Sequence, residues 1–373
     1  MSSTKATTPL GIAILGAGIF AIEAHLPAIA ALSKSHPQVQ VQLKAVYSRS
    51  EKSASSLASK ASELGLSEPT VYHDPDVDTL LARDDIHAVI LVLPIPAQPA
   101  LIRKALAAGK HILSEKPIAP DVAAGRALIA EYDAQYRSTL VWRVAENFEA
   151  EPAHIAAKKL ISDGKIGRVV SFSARAVANV ERGSKWWSTS WRTVPEYQGG
   201  FLLDGGVHTA AILRTILPQR ITHLAGFSSL TRDHLAPHDT THAVLKCADA
   251  GGEAGAHGIL ELSFAGSPSS GVANGISVTG TKGWLGITSG NKIKVAVRLH
   301  EQEEEVTEYA QSGVEAELAA FFDAITNVKQ GAEGPNTLGD PLGALWDVAL
   351  VEAVLNSGGG QIDLDALLNG RAC

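Results

Sequence analysis

Three ionisable residues stand in settings that suit combined proton and hydride chemistry. Lys116 lies in Ser114-Glu115-Lys116-Pro117, directly after the apolar run His111-Ile112-Leu113. A lysine at the carboxyl end of a strand, with a carboxylate before it and a proline after it, is poorly explained as surface decoration. Ligands bind at that end of a doubly wound sheet. Pro117 fixes its own φ and keeps Lys116 out of helical geometry, so the amine can be aimed. Asp204 and His208 lie in Gly199-Gly200-Phe201-Leu202-Leu203-Asp204-Gly205-Gly206-Val207-His208. If that run opens a helix, the two side chains share one face. Hydride transfer from an alcohol requires loss of the hydroxyl proton, a role for which histidine is suited. Lys116 would stabilise the developing alkoxide, while Asp204 would orient His208 or hold a substrate hydroxyl. The plainer alternatives are Lys116 as an ion-pair partner of Glu115 and His208 as a satisfied helix-start histidine.

A second group of residues points to a dinucleotide. Gly16-Ala17-Gly18-Ile19-Phe20-Ala21 follows the apolar run Gly11-Ile12-Ala13-Ile14-Leu15 and precedes an alanine-rich stretch through about Ser33. In such a G-x-G-x-x-A turn the first glycine allows a tight bend and the second lets the backbone approach a pyrophosphate. The alanine permits close helix–strand packing, and the helix amino terminus supplies N–H donors at Ile19 and Phe20. The next strand ends Val46-Tyr47-Ser48-Arg49-Ser50, with no acidic residue for the adenosine ribose. Ser48, Arg49 and Ser50 instead offer donors and a guanidinium suited to a 2′-phosphate, which favours NADP(H) over NAD(H). The alternative leaves Arg49 over the adenine ring or in solvent. The expected cofactor set is Gly16, Gly18, Ile19, Phe20, Ser48, Arg49, Pro94, Glu115 and Lys116.

The elements that must position these groups fall into two styles. Val39 to Tyr47, Ala88 to Leu93, Lys110 to Leu113 and Thr139 to Ala145 read as strands. Helical stretches alternate with them at Glu51 to Leu64, Pro99 to Ala108 and Val122 to Tyr136. This alternation implies a parallel, Rossmann-like sheet. Beyond Glu146, partly alternating runs at Val169 to Ala178, Thr240 to Cys247, Gly258 to Phe264, Gly275 to Thr279 and Ile293 to Leu299 resemble an antiparallel sheet. Small-residue connections such as Ala248 to Ala256 and Gly266 to Gly271 separate some of these runs. Two helices follow, Val314 to Lys329 and Pro341 to Asn356. The fold class is α/β: a dinucleotide-binding Rossmann domain over 1–145 and, over 146–373, an α/β domain for substrate and oligomerisation with a large, mostly antiparallel open sheet.

The 373 residues suffice for about two domains. A net charge of −7 favours neither nucleic acid nor an anionic membrane. Two cysteines, Cys247 and Cys373, are too few for a disulfide framework and fit a reducing compartment. Met1 to Pro9 read as a flexible leader. The apolar segment Leu10 to Leu32 is interrupted by glycines, Glu23 and His25, and has neither a basic n-region nor a cleavage motif, so a cytosolic location is expected.

Other features carry competing readings. Trp186, Trp187 and Trp191-Arg192 would form a sugar-stacking wall or lid, or else pack in the core or at a dimer interface. Asn147, Trp191 and Arg192 are the candidate substrate contacts. His234, His238 and His242 recur at four-residue spacing, but Pro237 argues against a helix there, so a loop leading into a strand is expected rather than a metal site. Glu301 to Glu305 read as a solvated hairpin flank.

With these motifs assembled, the chain resembles the glucose–fructose oxidoreductase / inositol dehydrogenase / rhizopine catabolism (Gfo/Idh/MocA) family over nearly its whole length. The likeness rests on G-x-G-x-x-A, Glu115-Lys116-Pro117, the Gly-Gly-x-x-x-Asp-x-Gly-x-His run and the closing helices. It implies a Rossmann domain joined to an α/β domain whose open sheet face commonly makes dimer contacts, so a homodimer or higher oligomer is expected. It also implies hydride transfer to or from a sugar, polyol or related small molecule, with the family's lysine, aspartate and histidine mapping onto Lys116, Asp204 and His208. The end of the second strand is similar to NADP-using dihydrodiol and D-xylose dehydrogenases. Departures are Gln98 where histidine is frequent, Ala211 where aspartate is frequent, and Glu146-Asn147-Phe148-Glu149 where an arginine often stands. They leave the proposed chemistry intact and bear on the substrate. The alternative on the same fold is a non-catalytic NADP-binding sensor, against which the retained lysine, aspartate and histidine argue.

Overall fold

A computed structural model describes residues 9–36, 39–267, 273–329 and 338–371. The leader up to residue 8, part of the Gly266 to Gly271 connection and Cys373 lie outside the described residues. The chain forms two compact units, each assembled from separated stretches. One comprises Met1–Ile118, Ala127–Asn147 and Val314–Pro341; the other comprises Ala119–Arg126, Phe148–Gly313 and Leu342–Cys373.

The first unit is built on strands β1 (Leu10–Leu15), β2 (Val41–Ser48), β3 (Thr70–His73), β4 (Ala88–Leu91), β5 (His111–Glu115) and β6 (Trp142–Ala145). They pair in parallel in the order β3-β2-β1-β4-β5-β6. The order reverses between β1 and β4, which makes that carboxyl edge a switch point where ligands bind. β4 and β5 are buried at every residue, as expected of parallel strands covered on both faces. Helices α1 (Leu26–Ser35), α2 (Glu51–Glu63), α3 (Val77–Leu81), α4 (Gln98–Ala107) and α5 (Val122–Gln135) accompany the strands. Helical structure begins at Ile19 and passes through a π-helical turn, Ala21–His25, before α1. Such turns are frequent at functional sites. Ile12, Ile14, Leu26, Leu57 and Leu113 share one core with Leu318, Phe321, Phe322 and Ile325 from the late helix Gly313–Lys329.

The second unit carries α6 (Pro152–Ser162), β7 (Val169–Val177), α7 (Ser190–Thr193), α8 (Phe201–Ile216), β8 (Ile221–Ser229), β9 (Thr240–Cys247), β10 (His257–Ser263), β11 (Gly275–Gly280), β12 (Gly283–Thr288), β13 (Ile293–Leu299) and β14 (Glu305–Tyr309). Beyond α9 (Gly313–Lys329) come α10 (Pro341–Ser357), β15 (Ile362–Asp363) and α11 (Leu364–Leu368). The nine strands run in the order β14-β13-β12-β11-β7-β10-β9-β8-β15. All neighbours are antiparallel except β7 and β10, which pair in parallel. In β9, Thr241, Ala243, Leu245 and Cys247 are buried while His242 and Val244 are exposed, the alternation of a sheet with one covered face. Leu202, Ala210 and Leu213 of α8 and Leu350 and Val354 of α10 pack in the core with Phe172, Leu245 and Leu260.

Candidate active site

In the first unit the candidate residues gather at the carboxyl edge of the parallel sheet. Gly16 follows β1 at φ 114°, and a Cβ there would stand 2.0 Å from the Val92 carbonyl oxygen. Its amide donates to the Tyr47 carbonyl at 2.8 Å. The turn is thus wedged between the ends of β2 and β4, and only glycine fits. Gly18 is the opposite case: a Cβ there would meet nothing within 4 Å. Its backbone faces open space where the helix starting at Ile19 and Phe20 directs its first N–H groups, a cradle suited to a pyrophosphate. Pro94 lies in the loop after β4, two residues beyond the Val92 carbonyl that abuts Gly16.

At the end of β2, Ser48 is half-buried and Arg49 is exposed, with no ion pair among the described residues. Ser50 caps α2, accepting from the Ser53 amide at 3.3 Å. Capping occupies Ser50 and leaves Ser48 and Arg49 beside a helix amino terminus. Tyr47 donates from its hydroxyl to Asp74, and burial together with that carboxylate holds the phenol well above its ordinary range.

Lys116 is half-buried and lies between two anchored neighbours. Glu115, the last residue of β5, meets His25 Nε2 at 2.7 Å, with both side chains almost wholly buried. His25 ends the π-helical turn, and the Phe20 ring meets it edge-on at 5.3 Å. The carboxylate beside Lys116 is therefore paired with an imidazole. On the other side, the Pro117 carbonyl accepts from Nε2 of the fully buried Gln98 at 3.3 Å. His25 holds the side chain that precedes the amine and Gln98 the backbone that follows it, and sequence reasoning assigned neither that task. The available signals were a histidine seven residues after Gly18 and a glutamine where the family often has histidine.

In the second unit the run after the glycine pair does open a helix, α8, and Asp204 and His208 stand four residues apart near its start. Gly205 explains how the helix reaches its place: a Cβ there would lie 2.4 Å from the Phe264 ring, just beyond β10. Asp204 is only 6% exposed, and Arg192 Nε donates to its Oδ2 at 2.7 Å. The Arg192 guanidinium stands 4.0 Å from the Trp191 ring centre and 5.2 Å from that of Trp186. Tyr197 is buried, its hydroxyl has no hydrogen-bond partner among the described residues, and burial plus the Asp204 charge push its phenol upward.

His208 is half-buried, and its ring stacks on Phe148 at 4.4 Å and 29°. The Phe148 carbonyl in turn accepts from His154 Nδ1 at 2.7 Å. Asn147 is half-buried and closes the first unit's stretch before Phe148. The three tryptophans divide. Trp187 donates to the His234 carbonyl at 3.0 Å and packs with Val180, Phe201 and Leu235, whereas Trp186 and Trp191 flank Arg192. His234 bonds the Val180 carbonyl through Nε2, and His242 faces Glu261 on the exposed side of β9, so these two histidines do not converge. Among the described residues no helix is long and apolar enough to cross a membrane.

Comparison with known proteins agrees with this architecture. A family model described as an oxidoreductase family with a NAD-binding Rossmann fold matches residues 10–141. A second, the GFO/IDH/MocA C-terminal domain, matches residues 154–286. The chain is 39% identical over 363 residues to Dehydrogenase FPY6 of Fusarium mangiferae, covering 93% of this chain and 96% of that protein. It is 29% identical over 374 residues to dTDP-3,4-didehydro-2,6-dideoxy-alpha-D-glucose 3-reductase of Streptomyces violaceoruber, covering 94% and 96%. The solved structure of an oxidoreductase from Thermotoga maritima is similar with a TM-score of 0.81 at 30% identity, covering 96% of this chain and 100% of that one. The chain belongs to the Gfo/Idh/MocA family of nicotinamide-dependent oxidoreductases.

Proposed function

We propose that the protein is an NADP(H)-dependent oxidoreductase acting at a hydroxyl or carbonyl carbon of a sugar, polyol or related compound. The observation that carries this reading is the half-buried Lys116 between the His25–Glu115 pair and the Gln98-bound Pro117 carbonyl, at the edge that also holds the open Gly18 cradle. Gly16, Gly18, Ile19 and Phe20 would hold the pyrophosphate, Ser48 and Arg49 the 2′-phosphate, and Pro94 and Glu115 would border the nicotinamide. The nicotinamide, when bound, supplies or accepts the hydride. The Lys116 ammonium hydrogen-bonds the reacting oxygen and stabilises negative charge on it. In oxidation His208 takes the hydroxyl proton, and in reduction it returns it. Asp204 holds a neighbouring substrate hydroxyl. The dTDP-sugar named for the Streptomyces relative supports a sugar-type carbonyl as the reacting group.

A screen of NADPH and NADH consumption, and of the reverse reaction, against aldoses, uronates, polyols, dihydrodiols and keto-sugars tests this reading. Turnover of one class with NADPH favoured is the expected result. Tight cofactor binding with no turnover of any class would point to a sensor instead.

The same reading includes a homodimer formed through the outward face of the second sheet. Val244 (58% exposed) and Ile259 (56% exposed) pair directly across β9 and β10, and Phe227 on β8 is 68% exposed. An apolar row on an open sheet face is suited to a second copy of itself. Light scattering should give twice the chain mass, falling to one chain in a Val244→Lys, Ile259→Lys double variant; a monomeric unmodified protein would refute it.

A further inference from the structure

We infer that Arg192 is a positioning residue that fixes the Asp204 carboxylate, and that Trp186 and Trp191 form a clamp holding its guanidinium. The inference rests on the reading of Asp204 as a substrate-site residue. A buried carboxylate is costly unless it is paired and hydrogen-bonded. Asp204 meets this need through a charge-assisted bond of 2.7 Å from Arg192 Nε, with both side chains mostly shielded from water. One such bond on a long side chain would not by itself fix a direction. The two indole rings remove that freedom, since Trp191 and Trp186 both lie within cation–π distance of the guanidinium. The Thr189 hydroxyl accepts from Arg192 Nη1 at 3.3 Å, and Trp191 packs on Tyr197 at 5.9 Å.

The clamp comes from a segment that has little regular structure of its own. α7 is a single turn, Ser190–Thr193, and Trp186 is 40% exposed. The order of this segment and the aim of Asp204 are thereby one property: the aromatic pair sets the guanidinium plane, and that plane sets the carboxylate. Lysine could supply the charge but neither the planar stacking surface nor the Nε–H direction.

The test compares R192A and R192K with the unmodified enzyme and with R182A, which removes an exposed arginine lying over Trp187 in the same segment. R192A should lose on the order of 10²-fold in kcat, the cost of misplacing a site group by about 1 Å. The KM for cofactor should stay unchanged. R192K should be as impaired as R192A, added guanidinium should restore part of the R192A activity, and R182A should keep full turnover. A kcat within twofold of the unmodified enzyme in R192A, or full activity in R192K, would overturn the clamp. A rise in substrate KM with kcat intact would overturn it too, because Arg192 would then be a direct substrate contact. Hydrogen exchange across the first turn of α8 needs no substrate, so it separates this inference from the proposed activity. Faster exchange there in R192A upholds the clamp even if no sugar is turned over; equal exchange overturns it.

Discussion

The two sheets solve the problem of presenting polar chemistry in opposite ways. In the parallel sheet the central strands β4 and β5 are buried on both faces, so functional groups are confined to strand ends and the loops beyond them. There the side chains beside the proposed catalytic amine, His25 and Gln98, bond a neighbouring side chain and a backbone carbonyl. In the antiparallel sheet one face takes helices and the other stays open, and the candidate groups sit on a helix laid against the covered face. Positioning there runs between side chains: Arg192 on Asp204, Phe148 on His208. The lesson is that strand ends offer a rigid backbone with few side-chain partners, whereas a helix packed on a sheet offers rigid spacing and needs its polar side chains held.

The sharpest way to break this comparison is to remove one group from each unit. Lys116→Ala and His208→Ala should each lower kcat by about 10²–10⁴-fold while NADPH binding, followed by its fluorescence, persists. Full turnover in either variant would leave that unit without a catalytic role. Arg49→Ala touches the first unit alone. It should weaken NADPH by roughly 10–100-fold, the loss of one or two charge-assisted bonds, and leave NADH unchanged. Equal losses for both cofactors would remove the 2′-phosphate assignment.

The same substitution at two glycines should then separate the units. Gly18→Ala adds a methyl to open space and should lower cofactor affinity about tenfold with no change in Tm. Gly205→Ala drives a methyl into the Phe264 ring and should cost about 1–3 kcal/mol in stability. A cofactor defect in the second variant, or a Tm drop in the first, would erase the contrast.

The smallest effect concerns the core of the second unit. Burial pushes the Cys247 thiol up to about 11. The folded state therefore keeps its proton where the unfolded chain has lost it. The stability this contributes is complete below the unfolded value near 8.5 and is lost as pH climbs through about 11. Tm should fall more steeply over that interval in the unmodified protein than in Cys247→Ala, and parallel slopes would contradict the assignment.

The parallel half was legible in the sequence because its strands are short apolar runs with glycine punctuation, a pattern few other structures share. β7, β9, β10, β11 and β13 were legible by alternation. β14 escaped because nearly all of it is exposed, and β3 because it is short and mostly half-buried. Asp204 and His208 could be placed on one helix from their spacing. Arg192 as the partner of Asp204 could not, since the two stand twelve positions apart across the irregular stretch 194–200. His25 read only as an interruption of an apolar stretch. Its partner lies ninety residues away, and periodicity reports that a position is buried without saying against what.

That limit matters most for α9. Leu318, Phe321, Phe322 and Ile325 complete the core around Ile12, Ile14 and Leu113, and a fully buried side chain of this kind contributes about 1.5–3 kcal/mol. On the ribosome, the parallel sheet emerges early but stays uncapped until synthesis has passed Lys329. A nascent chain halted after β6 would show bare apolar surface to chaperones rather than a finished domain. The dinucleotide-binding unit, first in sequence, is therefore among the last parts of the molecule to be completed in time.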